Sequence, residues 1–229
     1  MTDKPVIPNL TSALRSNIVE SPDVIRKASG IRLFGKRIKT IVYSTDVAVI
    51  ANCDADAILA VYPWTPSTRI LDAISKVANV PILAGVGGGL TKGLRAATVA
   101  RFAEENGGSA VVLNAPTSLE TLHSVRRMVD IPIFYTVVNE TTDLEAYIDA
   151  GVNALNIAGG RDTAKLVAWA REQLNDTHPN FPIIASGGKT DEQILDTIHA
   201  GANAITYTAY GMTEKTFHEK MAKYREQQS

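Results

Sequence analysis

A glycine pair between an apolar run and a helix-like stretch is the clearest candidate for ligand chemistry in this chain. It lies in Ser186-Gly187-Gly188-Lys189-Thr190. Backbone N–H groups at such a turn can approach an anion, and the N-terminus of the following helix adds its positive dipole end. Lys189 would add a point charge, and Gly211, after the next apolar run, would complete the site. The pattern predicts a phosphate-binding loop, but a tight turn that needs positive φ would have the same glycines.

Proton transfer needs an acid or a base, and histidine, the usual choice, is badly placed in this sequence. None of the four histidines directly follows an apolar run. The remaining candidates for catalysis are Asp46, Glu140, Asp162 and Lys189. The two aspartates could equally be helix N-caps. Glu140 is the preferred general base, because Thr141 and Thr142 can cap the helix that follows and leave its carboxylate free.

Polar and aromatic residues near the ends of other apolar runs could bind a substrate. The asparagines that could orient it are Asn114, Asn139 and Asn156. Tyr62 and Trp64 could stack on a flat ring or a sugar, or they could form a hydrophobic rim or a subunit contact. No cofactor and no metal motif is predicted, although Asp46 and Glu140 are compatible with a magnesium ion bound together with a substrate phosphate. The G-x-S-x-G elbow of serine hydrolases does not occur.

Eight short apolar runs must position these residues, and each is followed by a helix-like stretch. Two kinds of lead-in alternate along the chain: a small or polar residue and then alanine, as in Asn153-Ala154, and proline and then isoleucine, as in Pro132-Ile133. The runs are near-continuously apolar, as in strands covered on both faces. The predicted strands are 40–44, 57–62, 81–86, 110–114, 132–138, 154–158, 182–186 and 204–208.

Strict alternation of these lead-ins predicts a (β/α)8 TIM barrel, in which a strand–helix–strand–helix unit recurs about every 50 residues. The chain of 229 residues suits one such domain, which commonly takes about 250 residues. We expect a single domain over 1–229, with the barrel at 38–229 and a helical extension at 1–37. Ser21-Pro22-Asp23 would start a helix there. The extension would close the bottom of the barrel or, alternatively, reach a neighbouring subunit.

Composition narrows the class of partner. The net charge of -1 argues against nucleic acid, because nucleic-acid binding normally shows a basic surplus. No apolar run approaches the roughly 20 residues that cross a bilayer. Cys53 is the only cysteine, so an internal disulfide is excluded, and the first ten residues contain no apolar signal core. We therefore expect a cytoplasmic protein, a homo-oligomer, whose partner is a small phosphorylated molecule.

The segment Ala185-Ser186-Gly187-Gly188, followed by Gly201-Ala202-Asn203-Ala204-Ile205, resembles the last quarter of aldolase-type and ribulose-phosphate-binding barrels. This group includes phosphosugar aldolases, epimerases and thiazole- or indole-forming synthases. The resemblance implies a phosphate site in the loops after strands seven and eight. Two features depart from the group. Gly211 comes later after strand eight than the usual glycine, and strand six carries Asn156, which cannot form the imine of class I aldolases.

Together these observations predict an enzyme of lyase, isomerase or synthase type that acts on a small phosphorylated metabolite by proton transfer. Two alternatives remain open at this point. One is a barrel without catalysis that serves as a ligand-binding or structural subunit. The other is a hydrolase in which a carboxylate activates water. Fold does not decide among them.

Overall fold

A short 3-10 helix and a β-hairpin precede the barrel. The structure is a computed structural model that describes residues 8, 10–12 and 18–226. The 3-10 helix spans Asp23–Lys27, and the hairpin consists of β1 (Ile31–Leu33) and β2 (Lys36–Ile38). The hairpin strands pair in antiparallel register, with Ile31 opposite Ile38.

Eight parallel strands form a closed barrel, which confirms the predicted fold. They are β3 (Thr40–Tyr43), β4 (Ala57–Ala60), β5 (Ile82–Gly87), β6 (Gly108–Leu113), β7 (Ile133–Val137), β8 (Ala154–Ile157), β9 (Ile183–Ser186) and β10 (Ala204–Thr208). The barrel closes where β10 pairs with β3, with Ile205 opposite Thr40 and Thr208 opposite Tyr43. Three strands, β5, β7 and β9, are each preceded by a proline, namely Pro81, Pro132 and Pro182. At that position the missing N–H of proline removes no hydrogen bond from the sheet.

Helices connect successive strands on the outside of the barrel. They are α1 (Val47–Ala51), α2 (Thr68–Val77), α3 (Gly93–Glu105), α4 (Leu119–Arg126), α5 (Leu144–Asp149), α6 (Thr163–Gln173), α7 (Asp191–His199) and α8 (Met212–Glu226). A second 3-10 helix, Gly160–Asp162, precedes α6. Within the described ranges, no helix combines the length and apolar character that a bilayer crossing requires.

Side chains alternate between two apolar layers along each strand. Those that point inward form the barrel interior, where Leu59, Leu83, Val112 and Phe134 belong to one buried cluster. Those that point outward pack beneath the helices in a second, larger cluster that includes Ile58, Val111 and Leu155. The strands are therefore buried on both faces, as their continuous apolar sequences predict.

The hairpin closes the amino-terminal end of the barrel, where an extension over 1–37 was predicted to be helical. Among the described residues of that extension, only Asp23–Lys27 is helical. Ile31, Leu33 and Ile38 join the interior cluster, and the Gly30 N–H donates to the Asn203 carbonyl at 2.6 Å. Alternation of apolar and basic residues in Ile31-Arg32-Leu33 suits a strand with one covered face, which explains the difference. Residues 1–7, 9 and 13–17 of the predicted extension lie outside the described residues.

Candidate active site

A cavity of about 760 Å³ opens at the carboxyl end of the barrel. The carboxyl ends of the strands converge there, and this is the functional face of barrels of this kind. Five of the sequence-predicted site residues line it, namely Asn114, Asn156, Gly187, Gly188 and Lys189. The structure thus brings the predicted glycine loop and two of the predicted asparagines to one cavity.

Three polar side chains form a hydrogen-bonded chain across the floor of the cavity. Asn156 on β8 donates from Nδ2 to Oγ1 of Thr136 on β7 at 3.1 Å. Thr136 in turn donates to Oδ1 of Asn114, just after β6, at 3.4 Å. Side chains two positions apart on a strand point to the same face. Thr136 therefore points into the barrel, because it lies two positions after the inward-facing Phe134. The floor is therefore neutral and polar, and its groups can bond a ligand.

Asn156 is left with an unused acceptor. Its side chain lies in the cavity lining and only 5% of the residue is exposed. Its Oδ1 atom has no hydrogen-bond partner among the described residues. A buried polar atom without a partner costs about 1–3 kcal/mol of folding free energy. A ligand that bonds this atom would remove that cost.

The glycine loop forms one wall of the cavity, and one of its N–H groups is free. The Gly187 N–H donates to the Thr206 carbonyl at 3.0 Å, and the Lys189 N–H donates to Oε1 of Gln193 at 2.7 Å. No hydrogen bond of the described residues uses the Gly188 N–H. Of the N–H groups predicted to bind phosphate in this turn, that of Gly187 is therefore already hydrogen-bonded to the protein, and that of Gly188 is available to bond a ligand.

Tight packing also requires both glycines of the loop. A Cβ on Gly187 would lie 2.5 Å from Cγ2 of Ile205, and one on Gly188 would lie 2.6 Å from Oε1 of Gln193. Gly188 has a φ of +84° as well. Gly188 is thus needed for backbone geometry and Gly187 for close packing. Helix α7 is capped as predicted by Thr190, which accepts from the N–H of Gln193 at 3.3 Å, and Gln193 itself lines the cavity.

Two cationic side chains and no anionic ones line the cavity. Arg161, in the 3-10 helix after β8, and Lys189 are both exposed to solvent. Among the described residues that line the cavity there is no aspartate, glutamate or histidine. Two positive charges and no negative one in the described lining favour an anionic ligand.

Asp46 acts as a helix cap and does not line the cavity. Its Oδ1 accepts from the N–H groups of Ala48 at 2.8 Å and Val49 at 3.4 Å, and its Oδ2 accepts from Oγ1 of Thr213 at 2.5 Å. The Thr213 hydrogen bond, more than the two backbone bonds, holds the pKa of Asp46 below its ordinary value. A carboxylate stabilised in this way is a weak base, so the structure favours the capping interpretation.

Glu140, Asn139 and Asp162 also lie outside the cavity lining. Glu140 is exposed in the turn after β7, and the helix after it is capped by Asp143, which accepts from the Ala146 N–H at 3.1 Å. The prediction that Thr142 caps this helix was wrong. Asn139 bonds the N–H and hydroxyl of Thr141. Asp162 pairs with Lys165 at 3.1 Å. The catalytic role predicted for Glu140 stays a prediction.

The remaining predicted residues, Tyr62, Trp64 and Gly211, are also outside the lining. The Tyr62 hydroxyl accepts from the Ser67 N–H at 2.6 Å. Trp64 is 77% exposed, which leaves a role in stacking or in a subunit contact as a prediction. Gly211 has a φ of +72° and immediately precedes α8.

Sequence reasoning assigned no role to several lining residues, among them Tyr43, Thr136, Arg161, Ser186 and Thr206. The alternation of inward and outward side chains along a strand could have identified Tyr43, Thr136 and Thr206, since each lies two residues after an inward-facing apolar residue. Arg161 had no comparable signal, because its direction depends on the 3-10 helix that carries it.

A resident magnesium ion does not fit these residues. Magnesium in proteins is usually held by one or two carboxylates together with substrate phosphates and water. No carboxylate lines the cavity, and the described residues contain no group of three or more His, Cys, Asp or Glu side chains able to hold a metal. We therefore derive no step through a metal ion.

No protein-family model and no curated protein matches the chain. Similar solved structures include a phosphonopyruvate hydrolase in complex with oxalate and Mg²⁺, which is 14% identical with a TM-score of 0.59 and aligns over 86% of this chain and 85% of that one. A phosphoenolpyruvate phosphomutase from Streptomyces platensis subsp. rosaceus is 14% identical with a TM-score of 0.59, over 86% and 83% of the two chains.

A 4-hydroxy-tetrahydrodipicolinate synthase from Methylacidiphilum fumariolicum SolV is 16% identical with a TM-score of 0.59, over 76% of this chain and 69% of that one. Identities this low leave the similarity at the level of fold. The chain has the TIM-barrel fold, which confirms the architecture that the resemblance of its last quarter implied.

Proposed function

We propose that this chain is an enzyme of lyase, isomerase or synthase type that binds a small phosphorylated or carboxylated metabolite and acts on it by proton transfer. The observation that carries the proposal is the cavity with Arg161, Lys189 and the free Gly188 N–H, and without an acidic residue in its lining. Two of the similar structures are named for phosphonopyruvate and phosphoenolpyruvate, which supports a small anionic substrate.

Each cationic group has a distinct role in holding the anion. Arg161 keeps its charge at all physiological pH values and can bond two oxygens of a phosphate or carboxylate at once. Lys189 supplies a point charge beside the loop, and the Gly188 N–H adds a directed donor at the N-terminus of α7. Asn114 and Asn156 on the floor would orient the rest of the substrate.

Removal of a proton next to a carbonyl group places negative charge on the carbonyl oxygen. Fixed donors and cations that face this oxygen lower the barrier, because they need no reorganisation when the charge develops. Lys189 and Arg161 are the groups in the cavity that can do this. Glu140 remains our predicted base, and it can act only if the exposed turn that follows β7 bends over the mouth when substrate is bound.

A ligand-binding barrel without catalysis is the second candidate. The absence of carboxylates and histidines from the described lining of the cavity favours it. The hydrolase alternative lacks this support, because no carboxylate in the cavity could activate a water. Exchange of a substrate C–H for solvent deuterium, followed by NMR, would separate an enzyme from a binding module, since only proton transfer produces it.

The anion site is tested by calorimetric titration with inorganic phosphate. We expect Arg161→Met and Lys189→Met each to weaken binding by about tenfold or more, because each removes a charge-assisted hydrogen bond. Lys165→Met is the matched control, since Lys165 pairs with Asp162 at 3.1 Å and does not line the cavity. Equal phosphate affinities in the wild type and all three variants would contradict the proposal.

A further inference from the structure

The buried amide of Asn156 indicates which chemical group the cavity is built to receive. Its Nδ2 is bonded to Thr136 at 3.1 Å, whereas its Oδ1 has no partner among the described residues. The residue is 95% buried, since only 5% is exposed. Asn156 lies in the lining of the cavity, so a ligand bound there can supply the partner that this atom lacks.

Two hydroxyl groups of the lining donate elsewhere. Thr136 donates to Oδ1 of Asn114 at 3.4 Å, and Thr206 donates to the Ala185 carbonyl at 3.3 Å. Ser186 lines the same cavity but does not bond the amide oxygen of Asn156. A ligand can therefore supply the donor that the described residues do not.

The charge of the cavity selects the kind of donor. Arg161 and Lys189 line the same cavity, and a ligand ammonium group would be repelled by both. A neutral donor is favoured. Asn114 offers the complementary feature, because its Oδ1 accepts from Thr136 and its Nδ2 is left to donate. A hydroxyl group both donates and accepts, and it can therefore bond either amide of the floor.

We infer that Asn156 is a specificity-determining residue that requires a hydroxyl group on the substrate, so that the substrate is a hydroxylated phosphate ester or hydroxylated carboxylate. The inference rests on the proposed anion site. The anionic group binds at Arg161, Lys189 and Gly188 on the wall, and the hydroxylated end enters first and bonds Asn156 on the floor. A site with a buried unpaired acceptor rejects analogues that lack the hydroxyl, because their binding leaves the acceptor unpaired.

Two phosphate esters with the same carbon skeleton and the same anion test the inference, namely glycerol 3-phosphate and 1-propyl phosphate. By calorimetry, we expect the wild-type protein to bind glycerol 3-phosphate at least about tenfold more tightly, since the hydrogen bonds to the floor are lost with the propyl ester. Asn156→Leu, which nearly conserves the shape of the side chain, should remove this preference and bind 1-propyl phosphate at least as well as the wild type does.

Thr197→Val is the matched control, because Thr197 is also buried, donates its hydroxyl to the Gln193 carbonyl at 2.9 Å and does not line the cavity. We expect it to retain the preference for the hydroxylated ester. Asn156→Ala provides a second variant if the leucine protein does not fold, and it should also lose the preference.

Outcomes of this experiment separate the two proposals. Equal binding of both esters to the wild type, or a preference retained by the Asn156 variants, would overturn the role of Asn156 while leaving the anion site intact. If neither ester nor inorganic phosphate binds, the proposed anion site fails, and the inference about Asn156 fails with it.

Discussion

The charged groups near the cavity differ in what each can do to a bound anion. Arg161 and Lys189 line the cavity and are exposed to solvent, and each can pair with an anion bound there. Asp46 is held ionised by Thr213 and caps α1, and Asp162 pairs with Lys165. Glu140 alone among the predicted acids makes no described side-chain hydrogen bond or ion pair. Its carboxylate is therefore the one that could reach a substrate without breaking a contact.

Glu140→Gln tests this assignment. If Glu140 is the base, solvent-deuterium exchange into phosphorylated hydroxyketones or 2-oxo acids should fall roughly 10²-fold or more, whereas phosphate affinity and melting temperature stay unchanged. Glu145→Gln is the control, because Glu145 contacts Thr177 and His178 away from the cavity, and its exchange rate should match the wild type. An undiminished rate in Glu140→Gln would exclude it as the base.

Individual site residues could be predicted only where backbone position alone decides their direction. Asn156 lies within a strand and Gly188 in a tight turn, and both line the cavity as expected. Asp46 and Tyr62 follow strands directly as well, but they bond their own loops, to Ala48 and Ser67 respectively. A sequence does not reveal which of several nearby N–H groups a loop side chain will bond. For Asp46 the structure agrees with the helix-cap alternative, and the predicted role of Tyr62 in substrate binding stays a prediction.

At the scale of elements, the alternating lead-ins have a structural cause. Asn153, just before β8, accepts at Oδ1 from the first N–H of β7, on Ile133, at 2.8 Å. Asn203, just before β10, accepts from the first N–H of β9, on Ile183, at 2.9 Å. These two asparagines thus satisfy the starts of the proline-led strands β7 and β9. Part of the periodicity that predicted the barrel has this contact as its cause, whereas the loops contain no comparable repeat.

A hydrogen bond joins the beginning of the first helix of the barrel to the last helix, and it gives a pH-dependent prediction. The Thr213 hydroxyl of α8 donates to the Asp46 carboxylate before α1, and this bond lowers the pKa of Asp46 in the folded state. A lowered folded pKa stabilises the fold above the unfolded value of about 3.9, and the stabilisation is lost as the pH falls through the folded value.

Thr213→Val should therefore reduce the free energy of unfolding by about 0.5 kcal/mol at pH 7, a small amount because the pair is largely exposed to solvent. The difference from wild type should shrink between about pH 5 and pH 3. Thr213→Ser, which keeps the hydroxyl, should match the wild type throughout. Urea unfolding at several pH values measures these differences, and a deficit that stays constant down to pH 3 would contradict the mechanism.

In the molecule as a whole, stability and ligand binding are assigned to opposite ends of the barrel. The hairpin closes the amino-terminal end with Ile31, Leu33 and Ile38, which pack into the interior cluster. The cavity with its cations opens at the carboxyl end. Such a division is general for barrels of this kind, in which the bottom face contributes stability and the top face contributes chemistry. It implies that changes at the hairpin should affect folding and leave anion binding intact.

Ile38→Ala tests this separation. Ile38 is only 1% exposed, and its truncation should reduce the free energy of unfolding by about 2–4 kcal/mol, because it removes buried methyl groups and leaves a cavity. Phe34→Asn at the hairpin tip is the control. Phe34 is 73% exposed with a φ of +47°, a conformation that asparagine tolerates better, so stability should stay within about 1 kcal/mol of wild type.

Below the melting temperature, both variants should bind inorganic phosphate as tightly as the wild type does. A weaker phosphate affinity in folded Ile38→Ala, measured by calorimetry, would show instead that packing at the bottom of the barrel helps to position Arg161 and Lys189 at the top.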